Sequence, residues 1–264
     1  MIDEQHFDIP GPDGRRLACR HRQGSGPGVL FCPGFHSDML GSKAEALAAW
    51  SARTGRPFTR FDYSGHGASS GEFAEGTIGA WLADALAVLD AVTRGPQVLV
   101  GSSMGGWLSL LMALARPERV CALLLIAPAP DFTDRLYRDR LTAAQRQQLD
   151  CEGVCLLPSE YDEAPWPISR QLIDEARQHF LCGEASGGTG SEGIALDMPV
   201  VMLQGQRDDS VPWQLTLELA ERIRSPDVEL QLIKNGDHRL SEAPDLQRMV
   251  SALDNLLERL AARA

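Results

Sequence analysis

Short apolar runs bounded by Pro and Gly alternate along the chain with longer segments whose apolar positions recur every three to four residues. The first pattern predicts buried strands and the second amphipathic helices. Their alternation predicts an α/β protein with a mostly parallel sheet. Strands are expected at 28–32, 58–63, 97–100, 120–126, 200–204 and 228–233, and helices at 43–54, 78–93, 105–115, 214–223 and 243–262. The strongest helical signal runs from Ile78 to Thr93, where Trp81, Leu82, Ala85, Leu86, Val88, Leu89 and Val92 gather on one side. The opening differs. His6–Ile9 and Arg16–His21 flank the turn residues Gly11-Pro12-Asp13-Gly14, which predicts an antiparallel hairpin at a sheet edge.

Residues 131–195 break this rhythm. They offer helical pieces at 141–149 and 168–181, three prolines (Pro158, Pro165, Pro167) and a glycine-rich stretch at 187–190, but no convincing strand. The expected organisation is a core made of 1–130 and 196–264, with 131–195 inserted as a small helical cap over the C-terminal edge of the sheet. The insertion reads as too short and too polar to need a core of its own. It holds 12 Asp and Glu against 6 Arg, so it carries −6 of the total charge of −11.

At 264 residues one hydrophobic core suffices, and 44% apolar with 23% charged residues is ordinary for a folded soluble domain. The acidic balance argues against a nucleic-acid partner, which needs a basic face, and against an anionic membrane surface. No apolar run reaches the length of a membrane span. The first six residues lack the basic and apolar regions of a signal peptide, so a cytosolic location is expected. The six cysteines are scattered and read as reduced, small apolar residues. Cys151 and Cys155 stand four apart without further ligands to complete a metal site, so no metal is expected.

Gly101-Ser102-Ser103-Met104-Gly105 joins an apolar strand to an apolar helix. A sharp strand-to-helix turn needs small residues two places either side of an exposed nucleophile. Ser103, not Ser102, has Gly at both places. A serine hydroxyl needs a base to take its proton, and the base needs a carboxylate to orient it. Downstream, His238 follows the last strand in a polar loop, whereas His179 falls in the cap. The loop after the strand at 200–204 offers Asp208, with Asp209 and, more weakly, Asp237 beside His238 as alternatives. The oxyanion that forms on acyl transfer needs two backbone N–H groups. Met104, after the nucleophile, and Phe35, in the loop Pro33-Gly34-Phe35-His36, are expected to supply them. Phe35, Trp107 and Trp213 are the expected apolar lining of a substrate pocket.

Five segments recur together and in order: Cys32-Pro33-Gly34-Phe35, Phe61-Asp62-Tyr63-Ser64-Gly65-His66-Gly67-Ala68-Ser69, Gly101–Trp107, Asp208-Asp209-Ser210-Val211-Pro212-Trp213 and Asp237-His238-Arg239. On these residues the chain resembles the α/β-hydrolases over essentially its whole length. Within them it resembles the branch of the mitochondrial palmitoyl-protein thioesterase and mycophenolic acid acyl-glucuronide esterase, with its bacterial relatives. The resemblance implies an eight-stranded, mostly parallel sheet with helices on both faces. It also implies an esterase or thioesterase whose triad falls here on Ser103, Asp208 and His238.

The expected function is therefore hydrolysis of carboxylic esters or thioesters through an acyl-enzyme, without metal, nucleotide or flavin. The expected substrate is a small acyl ester or thioester, with an S-acylated protein as a further candidate. The acidic cap is expected to disfavour polyanionic leaving groups such as coenzyme A. Two other readings share the scaffold: amide or C–C hydrolysis on the same triad, and a non-catalytic ligand-binding protein. Residues 187–190 are not a phosphate loop, because no strand leads into them and no Lys-Ser/Thr follows.

Overall fold

A computed structural model describes residues 3–159, 164–182 and 193–263. The chain opens with strands β1 (Gln5–Pro10) and β2 (Arg16–Arg22), paired antiparallel across the Gly11–Gly14 turn as the sequence predicts. Then come β3 (Gly28–Cys32), α1 (Ser42–Thr54), β4 (Phe58–Phe61), α2 (Ile78–Val92), β5 (Gln97–Ser102), α3 (Met104–Ala115) and β6 (Val120–Ile126). The segment between β6 and the next long strand holds α4 (Phe132–Arg135), α5 (Ala143–Glu152), β7 (Val154–Leu157), β8 (Trp166–Ser169) and α6 (Arg170–Ala176). The chain closes with β9 (Val200–Gly205), α7 (Trp213–Arg222), β10 (Val228–Ile233) and α8 (Ala243–Ala261).

Eight strands form one sheet in the order β1-β2-β4-β3-β5-β6-β9-β10, parallel from β4 onward. Alternation along each central strand feeds two cores. Leu30, Leu99, Leu123 and Met202 face α2 and α3, packing with Trp81, Val88 and Leu108. Val29, Val98, Leu124 and Val201 face α1 and α8, packing with Leu47, Trp50, Leu253 and Leu257. Burying each such side chain contributes about 1.5–3 kcal/mol. Helix ends follow local chemistry: the Thr77 hydroxyl accepts from Ala80 N–H to start α2, and Gly55 in the left-handed region ends α1.

The inserted segment departs from its expected form in two ways. It contains strands: β7 and β8 pair antiparallel as a separate ribbon, Val154 opposite Ser169 and Leu157 opposite Trp166. Pro167 argues against a strand in a sheet interior, but a two-stranded ribbon is all edge, where proline is tolerated. It also has a small core, in which Leu136, Leu141, Leu149, Cys155, Ile168 and Ile173 bury one another. These apolar residues are spread over nearly forty positions of polar sequence and meet only when α5, the ribbon and α6 fold together.

Because β3, β5, β6, β9 and β10 run parallel, the loops that follow them open on one edge of the sheet. Ligand sites of open α/β sheets form at that edge. Phe35, Ser103, Asp131, Asp208 and His238 all lie in those loops.

Candidate active site

Ser103 sits between β5 and α3 with φ +54° and ψ −117°, a conformation an L-residue adopts only under constraint. The constraint is close packing on both sides. A Cβ on Gly105 would lie 2.0 Å from the Cys32 carbonyl oxygen, and one on Gly101 would lie 2.3 Å from the Gly105 carbonyl oxygen. Only glycine at both positions lets the turn lie this close to β3 and fold back on itself. Ser103 N–H donates to the Ile126 carbonyl at 2.9 Å, tying the strained residue to β6.

His238 reaches this serine from the loop after β10. Its Nε2 lies 3.0 Å from Ser103 Oγ, and its Nδ1 lies 2.8 Å from Asp208 Oδ2. With the proton on Nδ1 donated to Asp208, Nε2 is left as acceptor for the serine hydroxyl. The Asp208 side chain is fully buried and its hydrogen bonding is saturated. Oδ1 accepts from the N–H groups of Ser210 (2.9 Å) and Val211 (2.7 Å), and Oδ2 accepts from Gln204 Nε2 (2.9 Å) as well as from His238.

The alternative acids stand elsewhere. Asp209 lines the cavity, and its carbonyl accepts from Arg140. The exposed Asp237 uses its carboxylate to accept Leu240 N–H. His179 pairs with Glu175 at 2.7 Å, away from Ser103.

Phe35 and Met104 lie beside the serine: Met104 opens α3, and a Cβ on Gly34, next to Phe35, would lie 3.4 Å from Ser103 Cβ. Among the described residues, neither the Phe35 nor the Met104 backbone N–H is taken by a protein acceptor. The loop that carries Phe35 is clamped from β4 and its end. Asp62 accepts Met39 N–H at 2.7 Å, and Arg60 donates to the Met39 carbonyl at 3.0 Å.

Ser103 and His238 open on a cavity of about 780 Å³. Phe35 lines it, but Trp107 and Trp213 do not. Trp107 is fully buried between sheet and insertion, where its indole N–H donates to the His179 carbonyl at 3.1 Å. Trp213 opens α7, and its neighbours Val211 and Leu215 line the cavity in its place. The aromatic wall comes instead from Phe132, Trp166 and Phe180 of the insertion, none of which the sequence pattern singled out. Their signal was present only as bulky aromatics in an otherwise polar stretch.

Phe35 is the hub of that wall, with ring centroids 5.4 Å from Phe132 and 5.7 Å from Trp166. The cavity is not uniformly acidic. Lys43, Arg135, Arg138, Arg140 and Arg239 line it alongside Asp38, Asp131, Asp134, Asp139, Asp209 and Glu218. The charge argument against coenzyme A thioesters therefore does not carry over from the summed charge of the segment. The glycine-rich stretch 187–190 lies outside the described residues.

The insertion is docked by polar contacts. Asp131, buried and left-handed at φ +56°, accepts the N–H groups of Leu181 (2.8 Å) and Cys182 (2.6 Å). Glu175 accepts Gly79 N–H at the start of α2. Burial pushes the Glu175 carboxyl up, but its hydrogen bonds from His179 and Gly79 outweigh this and leave it below its ordinary range.

Residues 29–247 match the sequence model of the alpha/beta hydrolase family. A curated relative, the mitochondrial palmitoyl-protein thioesterase ABHD10 of Mus musculus, is 42% identical over 246 residues, which cover 93% of this chain and 80% of that protein. The solved structure of alpha/beta hydrolase domain-containing protein 10 from mouse matches with TM-score 0.86 and 40% identity, covering 97% of this chain and 99% of the other. A putative hydrolase from Agrobacterium vitis S4 matches with TM-score 0.88 and 37% identity over the same shares. The mouse relative's name places it in mitochondria, and this overturns the cytosolic expectation. That expectation rested on six residues at one end of the sequence, which do not report the compartment where the fold works. Sequence model, relative and solved structures agree with the eight-stranded, mostly parallel sheet: the chain belongs to the alpha/beta hydrolase family.

Proposed function

We propose that this protein is a serine hydrolase of carboxylic esters and thioesters that works through an acyl-enzyme on Ser103, with Asp208 and His238 completing the triad. The observation that carries the reading is the continuous hydrogen-bonded line Ser103–His238–Asp208, at 3.0 and 2.8 Å, opening on the cavity. His238 takes the Ser103 proton as Oγ attacks the acyl carbonyl, then returns it to the departing alcohol or thiol. Asp208 holds the imidazole in the tautomer this needs and stabilises the imidazolium between the two steps. The N–H groups of Phe35 and Met104 receive the oxyanion. Water, activated by His238, then releases the acid. No step uses a metal or an organic cofactor.

Residues 131–195 act in this reading as the cap that supplies the acyl-facing wall, with 1–130 and 196–264 as the core. The names of the relatives support thioesters as substrates, including acyl groups carried on protein thiols. The test is intact-mass analysis after treatment with a fluorophosphonate, paired with hydrolysis of a medium-chain thioester. One adduct per chain, lost in Ser103→Ala together with hydrolysis, is the expected result. A folded wild type that takes no adduct and turns over no ester or thioester would overturn the reading.

A further inference from the structure

Of the 25 lysine and arginine residues in the chain only two are lysine, Lys43 and Lys234. Lys234 is exposed in the loop after β10 and does not line the cavity. Lys43, the second residue of α1, lines the same cavity as Ser103 and His238. Its Nζ donates to the carbonyl of Arg239, the residue after His238. An arginine could make that hydrogen bond and carry the same charge. What lysine adds is an amine that can lose its proton and act as a nucleophile.

The surroundings of Lys43 favour that loss. Burial and the neighbouring Arg239 push its amine down to about 8, against the opposing pull of Asp237 in the same loop and Asp245 on α8. The first turn of α1 adds a positive field of its own. At pH 7.5 roughly a quarter of such amines are neutral, against about 0.1% for an ordinary lysine. Lower basicity costs some nucleophilicity, yet the gain in free amine is larger.

We propose that Lys43 is a second acyl acceptor in this cavity, taking the acyl group of a bound thioester onto its side-chain nitrogen. The inference rests on the reading of the cavity as a thioester site. The neutral amine attacks the thioester carbonyl, the C–N bond forms and the C–S bond breaks. The departing thiolate takes the proton that the nitrogen loses, so no further reactant is required. The amide product keeps one N–H for the Arg239 carbonyl, removes the charge and leaves the acyl chain inside the cavity. An ester on Ser103 is cleared by water, whereas this amide lies outside the Ser103–His238 line and persists, so modification would be self-limiting for the enzyme.

The experiment uses Ser103→Ala, in which the thioester survives, incubated with octanoyl-N-acetylcysteamine thioester between pH 6.5 and 9.5. Peptide mapping by mass spectrometry follows, and the same mapping is done on wild type with excess thioester. Lys43 should be acylated roughly ten-fold faster than Lys234, with its rate half-maximal near pH 8, and Lys43→Arg should abolish that signal and leave Lys234 unchanged. Equal rates at the two lysines in both proteins would overturn the proposal. Wild-type hydrolysis of the same thioester is read in parallel. Its absence beside rapid Lys43 acylation overturns the hydrolase reading alone, and its presence beside equal lysine rates overturns the Lys43 proposal alone.

Discussion

Gln204 and Asp208 are joined at the end of β9: the Gln204 side-chain N–H donates at 2.9 Å to Asp208 Oδ2, the same oxygen that faces His238 Nδ1. Gln204 is fully buried, and it also donates to the Val211 carbonyl at 3.1 Å and accepts from the Thr216 hydroxyl at 2.8 Å. It thus ties Asp208, the loop that carries Asp208 and α7 together. Gln204→Leu removes these bonds, and a fourth to the Gly205 carbonyl at 3.2 Å, and leaves the Thr216 hydroxyl and the Val211 carbonyl unpaired. The expected cost is about 1–3 kcal/mol of stability. Misplacement of the acid is expected to lower kcat on the order of ten-fold with KM within two-fold. Steady-state kinetics beside urea denaturation check this. Unchanged kcat would mean that the Ser210 and Val211 N–H groups position Asp208 unaided.

Two glycine-to-alanine substitutions should differ sharply. Gly105→Ala places a methyl 2.0 Å from the Cys32 carbonyl, so α3 must move off β3 or the turn must open. Overpacking between a strand and a helix is expected to cost 3 kcal/mol or more, at least about the upper end of ordinary core overpacking. Fluorophosphonate labelling should vanish with it. Gly153→Ala, at φ +76° with nothing within 4 Å, meets only left-handed strain, about 1 kcal/mol, and should keep full labelling. Thermal melts and labelling stoichiometry of the two proteins give the comparison.

Much of this was legible in the sequence, for identifiable reasons. The strands announce themselves because both faces of a central parallel strand are buried, so β3 and β6 read as unbroken apolar runs and β5 carries one at Val98-Leu99-Val100. Ser103 is marked by the two glycines its turn requires, and His238 and Asp208 by their order after the last strands. Gln204 was missed: it marks only the end of the strand expected at 200–204, although one polar residue closing the apolar run Val200-Val201-Met202-Leu203 was its signal. The cavity wall was not legible. Phe132, Trp166 and Phe180 are far apart in sequence and converge on Phe35 only through tertiary packing. Periodicity likewise cannot tell a tryptophan that lines a cavity from one, like Trp107, sealed beneath it.

His66 makes acid stability a test of the loop after β4. Its ring is buried among Tyr63, Phe73 and Trp81, and Nε2 has no partner among the described residues. Burial pushes its pKa from 6.5 down to about 4; the Ser64 carbonyl near Nδ1 opposes this and nearby His36 adds to it. The fold therefore holds a neutral imidazole that the unfolded chain protonates first. The stability this represents is present above about pH 6.5 and is lost as pH falls from there towards 4, by roughly 3 kcal/mol in all. Denaturation from pH 8 to pH 4 should show that slope in wild type. His66→Phe, which cannot titrate, should flatten it while adding a cost that does not vary with pH. Parallel slopes in the two proteins would place the acid sensitivity elsewhere.

Trp166 should govern acyl-chain preference without touching the chemistry. It lies on β8, stacked on His36 with ring centroids 4.9 Å apart and 19° between planes, and it packs edge-on to Phe35 at 5.7 Å. It joins the β7–β8 ribbon to the loop that carries the Phe35 N–H, it lines the cavity, and among the described residues it makes no hydrogen bond to Ser103, His238 or Asp208. Trp166→Ala removes apolar wall that a long acyl chain would cover and a short one would not reach. For a medium- or long-chain p-nitrophenyl ester kcat/KM should fall about ten-fold, which corresponds to roughly 1.4 kcal/mol of lost transition-state binding. For the acetate it should stay within two-fold, and fluorophosphonate labelling should be unchanged. A uniform fall from acetate to palmitate would show instead that Trp166 acts on the backbone of the Phe35 loop, with oxyanion binding lost for every substrate alike.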